Sequence, residues 1–243
     1  MTKRILDWVT VALPVALLAL LVTTYLIDPR FYLTYVLEFS QRETQVVEII
    51  TFACLLLAGL LLVAPTFRLL RSNDRGKWLT IGIVGSLCLA GFFVAGEEID
   101  WGDSYGLWGD EAPKGDAPAL NLHNSSPLPI KSVGNLYLAG IFFGLPALWA
   151  FRGKLNLPAV LAPPVVPSIP VVIAMGIAFG WRFLKNVYRM FYEEGPRPDD
   201  PAGSFYWGFI EQINEHKEML IAVALVFYAL YHHLPRQHAP EQA

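Results

Sequence analysis

The chain has 243 residues, of which 54% are hydrophobic and only 16% charged, with a formal net charge of −3. A soluble domain carries about 25% charged residues, so this composition excludes an ordinary soluble globular protein and points to a polytopic membrane protein. The pI of about 5.9 and the lack of any basic stripe exclude a nucleic-acid partner.

Six segments are apolar and long enough to cross a hydrocarbon core of about 30 Å. They lie at about 8–27, 46–64, 79–96, 133–151, 165–184 and 218–234. Their apolar runs are continuous, whereas barrel strands alternate, so the expected fold class is an all-α helical bundle. One membrane domain spans 1–243, with no separate soluble domain. The first segment follows Lys3-Arg4 and contains Pro14, which neighbouring helices tolerate in lipid. It is long enough to span and no A-x-A site follows it, so a retained helix is expected rather than a cleaved leader. Cys54 and Cys88 both fall inside apolar runs, where cysteine behaves as a small hydrophobe.

The stretch 28–45 carries Phe31, Tyr32, Tyr35, Val36 and Phe39, the pattern of a short amphipathic helix anchored at an interface. Segment two opens on Glu48, and the positive end of a helix dipole favours a carboxylate there. Segment three ends on Gly96-Glu97-Glu98-Ile99-Asp100-Trp101-Gly102. If it stays helical, Glu97, Asp100 and Trp101 share one face. Carboxylates in the last turn oppose the dipole by about 0.3–1 kcal/mol each, so they need a metal, a basic neighbour or a raised pKa. The long connection 97–132 holds four further acids and then Asn121-Leu122-His123-Asn124. A histidine between two amides is a candidate metal ligand or proton shuttle. Small residues recur at four-residue spacing in Gly82/Ser86/Ala90, Gly140/Gly144 and Gly176/Gly180, which predicts close helix approach in segments three to five.

Segment five runs on into Arg182, Lys185 and Arg189, which share a helical face. They are candidates for a lipid head group or a substrate phosphate, or for neutralising the glutamates. Before segment six the chain reads Glu211-Gln212-Ile213-Asn214-Glu215-His216-Lys217-Glu218. Glu211, Asn214/Glu215 and Glu218 share a face there, and His216 points about 100° away from Glu215. No motif with a specific metal-ligand spacing occurs anywhere in the chain.

Short connections on one side hold Lys3, Arg4, Arg68, Arg71, Arg75, Lys77, Arg152, Lys154 and Arg236. The positive-inside rule therefore places both termini in the cytoplasm. It leaves 28–45, 97–132 and 185–217 outside, with nearly all the acids.

The pair Glu-Glu-x-x-Trp-Gly and Asn-Leu-His-Asn, with Glu48 upstream, resembles a group of uncharacterised bacterial multi-pass membrane proteins. The resemblance covers residues 43–124, and Asp100 and Asp103 stand where that group usually has Ser and Gln. It implies shared residues Glu97, Glu98, Trp101, Asn121, His123 and Asn124 in a bacterial cytoplasmic-membrane protein, and it carries no activity.

Three functions follow from these residues. The first is an enzyme acting on a membrane lipid or lipid-linked substrate. Glu97, Glu98 and His123 would then be catalytic groups or ligands of a divalent metal ion. Glu48, Asp100, Trp101, Asn121, Asn124, Glu211 and Glu215 would support them. The second is a non-catalytic subunit that docks a membrane protein partner through its outer loops. The third is a transporter, which the nearly charge-free midplane and the lack of inverted repeats oppose.

Overall fold

A computed structural model of the chain describes residues 2–36, 46–72, 77–98, 130–152, 165–192, 195–196 and 198–234. Among these residues the structure is helical with no strand. In chain order come α1 (Lys3–Ile27), α2 (Pro29–Phe31) with a π turn at Tyr32–Val36, α3 (Val46–Arg71) and α4 (Lys77–Glu98). Then follow α5 (Ile130–Ala139), a π turn at Gly140–Gly144, α6 (Leu145–Ala150), α7 (Ile169–Phe191) and α8 (Ile213–Tyr231).

Five helical runs are long and apolar enough to cross a membrane: α1, α3, Lys77–Gly96 of α4, Ser132–Ala150 and α7. The sequence led us to expect six. The last helix forms where expected, but Glu215, Lys217 and Glu218 in its first turns keep it out of that set. It is instead the axis of the bundle. Thirteen of its 19 residues are buried, and it packs on α3, α7 and α1. Several helices extend beyond their expected ends, because a helix continues past the apolar zone while its backbone bonds remain unbroken, whereas α7 begins at Ile169, four residues after the expected 165.

Local chemistry sets the breaks. Asp28 caps α2 by accepting from the amides of Arg30 and Phe31, both at 3.0 Å, with Pro29 opening the helix. The aromatic stretch that follows has two faces over its described part. Tyr32 and Leu33 turn into the core, while Phe31 and Tyr35 stay exposed. Pro146 cannot donate to the carbonyl one turn back, and the helix loosens into the π turn just before it.

The tightest helix contact joins α3 and α4. A Cβ on Gly91 would stand 3.0 Å from the Leu55 carbonyl oxygen and 3.1 Å from Gly59 Cα. The Cys88 thiol donates to the Gly59 carbonyl at 3.3 Å. The close approach therefore lies at Gly59/Gly91 and not at the expected small-residue stripes. Among the described residues nothing comes within 4 Å of a Cβ placed on Gly82, Gly140, Gly144 or Gly180, and Gly176 meets only Phe143 at 3.9 Å. Spacing within one helix shows where a partner can approach, but it does not say which face has one.

Candidate functional site

The side-chain contacts sort the bundle into two ends. At the lower end Arg68 donates to the His232 carbonyl (3.2 Å), His233 Nε2 meets the Leu61 carbonyl (2.7 Å), and Tyr231 donates to Asp7. Hence the start of α1 and the ends of α3 and α8 lie together. At the upper end Tyr32, just beyond α1, meets His216 at the start of α8, and Lys185 near the end of α7 meets Glu211.

The α3–α4 seam carries two of the expected carboxylates to that upper end. Gly59 lies against Gly91 and Thr66 against Gly85, so the helices run antiparallel. Glu48 precedes Gly59 by eleven residues and Leu55 by seven, spacings that keep it on the seam face. Glu98 follows Gly91 by seven residues and the buried Ala95 by three, on the matching face of α4. Eleven and seven residues differ by four, so the two positions differ by about 6 Å along the helix axes. Both side chains are half-buried.

Helix α8 brings a third carboxylate to the same level. Its contacts with α3 pair His232 with Arg68 and His233 with Leu61, offsets of 164 and 172 positions. Carried back to Glu215, those offsets reach positions 43 to 51, which bracket Glu48. Glu215 is half-buried as well. Thus α3, α4 and α8 deliver Glu48, Glu98 and Glu215 to one level. Glu97 lies within α4, but its side chain is outside the described set. Asp100, Trp101, Asn121, His123 and Asn124 also lie outside the described residues.

Beside this level, α7 and α8 are joined by a matched ionic network. Lys185 is 1% exposed. Its ammonium contacts Glu211 Oε1 at 2.7 Å and donates to the Glu211 carbonyl at 3.0 Å. Arg189 reaches Glu211 Oε2 at 3.3 Å and donates through Nε to the Tyr206 oxygen at 2.9 Å. Tyr206 in turn donates to Glu211 Oε2 at 2.9 Å. Partial burial works against ionising Glu211. Its contacts with Lys185, Tyr206 and Arg189 outweigh that and hold the carboxyl below its ordinary range. Of the three cations, expected either at a head group or phosphate or as neutralising the glutamates, Lys185 and Arg189 pair with Glu211, and Arg182 donates to Asn186 at 3.0 Å.

His216, which the sequence offered only as a possible further member of the outer cluster, is 0% exposed and central. Trp181 donates its indole N–H to His216 Nδ1 at 3.1 Å, and Nε2 contacts the Tyr32 hydroxyl. An N–H aimed at Nδ1 requires a lone pair there, so the ring proton sits on Nε2 and faces Tyr32. Phe209 packs on this imidazole with Tyr25, Tyr32, Trp181 and Phe205 around it. The turn that carries Phe209 fits because Gly208 has no Cβ. One there would stand 2.9 Å from the Pro201 carbonyl oxygen and 3.2 Å from the Tyr25 ring. The sequence did contain a signal for this: a histidine one turn inside a helix that is apolar on every side from Met219 onward. Its partners, 184 and 35 positions away, could not be read from spacing.

A divalent metal needs converging donors. Among the described residues no three His, Cys, Asp or Glu side chains form such a group. His216 has both nitrogens engaged and Glu211 is held by two cations, so neither supplies a free ligand. Of the metal ligands expected from the sequence, the Glu97 side chain and His123 lie outside the described residues. No protein-family model, curated protein or solved structure matches the chain.

Proposed function

We propose that this chain is a membrane-embedded hydrolase or transferase acting on a lipid or lipid-linked substrate by carboxylate acid–base chemistry at the upper end of the bundle. The observation that carries this reading is the seam placement of Glu48 and Glu98, about one helical turn apart on neighbouring antiparallel helices. Their surroundings divide the labour. Glu48 sits in the first turn of α3, where the helix dipole favours the anion. Glu98 closes α4, where the dipole disfavours it. Two like groups with opposed electrostatics suit a base and an acid. Glu48 takes the proton from an attacking hydroxyl, and protonated Glu98 gives one to the leaving oxygen. Glu215 supports the pair, with Glu97 and His123 as further candidates. The α7–α8 networks are the rigid wall that holds α8 in place.

The upper end would face away from the cytoplasm of a bacterial inner membrane. In support, Lys3, Arg4, Arg68, Arg71, Lys77 and Arg152 all belong to the lower ends of their helices. The test is direct. Purified protein is placed in nanodiscs made from a total bacterial lipid extract, and the lipids are compared by mass spectrometry before and after incubation. A new lipid species from the wild type that Glu48→Gln and Glu98→Gln fail to make supports the proposal. Unchanged lipids with the wild type, or equal turnover by both variants, overturn it.

One observation favours a second reading, a non-catalytic subunit: the charges between α7 and α8 are matched internally, as in a structural clasp. A stoichiometric membrane partner that co-purifies with the wild type, with no lipid converted, would select it.

A further inference from the structure

The two ends of the bundle treat their cations differently. Among the described residues every ion pair lies at the upper end: Arg30–Asp200, Lys185–Glu211, Arg189–Glu211 and Lys217–Glu218. At the lower end the partners carry no charge. Arg68 donates to the His232 carbonyl at 3.2 Å, and Lys77 to the carbonyls of Leu70 and Ser72 at 3.1 and 2.8 Å. Arg152 donates to the Trp149 carbonyl at 3.5 Å, and its guanidinium lies 4.2 Å from the centre of that ring. Lys3, Arg4 and Arg71 are exposed. Arg152 belongs to this end because Asn135 and Phe142 meet Lys217 and Tyr228 in the same order along the chain, so the run from α5 to α6 descends beside α8.

Carbonyls and rings order a cation without cancelling its charge. The six basic residues therefore keep their charge at the lower rim. The acid beside them among the described residues is Asp7, which accepts from Tyr231. The sequence of the adjoining stretches does not offset them: 73–76, 153–164 and 235–243 hold Arg75, Lys154 and Arg236 against Asp74 and Glu241. The helix dipole favours Arg68 and Arg71 in the last turn of α3. It disfavours Lys3, Arg4 and Lys77, which stand in the first turns of α1 and α4. Those three need a counter-charge from outside.

The rim also sets aromatic side chains beside its cations. Arg4 and Trp8 are four residues apart on α1, as are Phe67 and Arg71 on α3, spacings that share a helical face. The Lys77 ammonium lies 5.4 Å from the centre of the Trp78 ring. Trp8 is 78% exposed and Trp78 68%. Exposed tryptophans at the ends of spans sit at head-group level, so the neighbouring charges stand at the depth of lipid phosphates.

We propose that the lower rim binds the phosphates of anionic phospholipids in the leaflet that meets it. A zwitterionic lipid brings no net charge to offset the rim, and an anionic one does. This binding lies at the opposite end of the bundle from the proposed chemistry and stands without it.

The experiment titrates the full chain in detergent with phosphatidylglycerol or phosphatidylcholine of the same acyl chains and counts bound lipid by native mass spectrometry. One basic residue at a bilayer surface is worth about fivefold in affinity for anionic lipid. The wild type should therefore prefer phosphatidylglycerol by at least about fivefold, and the preference should shrink as salt rises. Arg4→Gln combined with Arg152→Gln should reduce it at least about fivefold, whereas Arg30→Gln, at the upper end, should leave it in place. Equal affinity of the wild type for the two lipids overturns the proposal, whether or not an acidic protein co-purifies to claim the rim instead. So does a preference that salt leaves untouched, or one that Arg30→Gln lowers as much as the lower-rim pair. The lipid comparison and the salt series use the wild type alone, so a variant that fails to fold does not shelter the proposal.

Discussion

Removing the counter-charge of Lys185 should cost more than removing Lys185 itself. In Glu211→Gln the buried ammonium keeps only the residue 211 carbonyl and an amide oxygen, with no negative partner. Breaking a buried pair by deleting one member costs about 3–5 kcal/mol. Glu211 is 30% exposed, which places the cost at the lower end, about 3 kcal/mol. For a chain of this size about 1 kcal/mol shifts Tm by about 2–4 °C, so Glu211→Gln should lower Tm by about 6–12 °C. Lys185→Met leaves Glu211 with Arg189 and Tyr206 and fills the cavity with a side chain of similar length. It should cost less than half as much. The double variant should be more stable than Glu211→Gln alone, because no uncompensated buried charge remains. Thermal unfolding in one detergent, followed by intrinsic fluorescence, measures all three. A Lys185→Met loss equal to or larger than that of Glu211→Gln would refute the reasoning, and so would a double variant no better than Glu211→Gln.

The same carboxyl predicts an acid limb. Its folded pKa lies below the ordinary range of a glutamate, so its contribution is complete above that range and is lost as pH falls through the lower folded value. Unfolding midpoints should drop in that acid window for the wild type, and Glu211→Gln should show a flatter limb. At the α3–α4 seam, Gly91→Leu forces a side chain into the Leu55 carbonyl and Gly59 and should cost about 1–3 kcal/mol. Gly82→Ala, which meets nothing within 4 Å among the described residues, should not lower the midpoint. Nitrogen NMR of His216 should find the proton on Nε2. Trp181→Phe should release Nδ1 and cost about 0.5–1.5 kcal/mol for the lost hydrogen bond.

Segment positions and helix type were legible because lipid demands long apolar runs with every backbone group bonded internally. Glu48 and Glu98 were legible as boundary charges for the same reason, and their seam position follows from spacing once the α3–α4 register is known. The register was not legible. It depends on Gly59 and Gly91, which are 32 positions apart and carry no mark to pair them. The small-residue stripes showed the opposite limit. Their spacing suggested close packing, yet among the described residues nothing comes within 4 Å of a Cβ placed on Gly82, Gly140 or Gly144. Lys185 was read chiefly as a surface cation. It is buried because Glu211 arrives from 26 positions away, which turns a costly buried charge into a paired one. His216 gained its role only when the chain folded Tyr32 and Trp181 against its two ring nitrogens.

The central claim, that the upper-end carboxylates transform a lipid, is tested most directly by one comparison. Wild type and Glu98→Gln, equally folded by thermal midpoint, are incubated with the same bacterial lipid extract and the lipids are resolved by mass. The account predicts a product that accumulates with time for the wild type and is lost at least a hundredfold with Glu98→Gln, the range expected for general acid–base groups. Product formed at equal rates by the two proteins, or by neither, would contradict it.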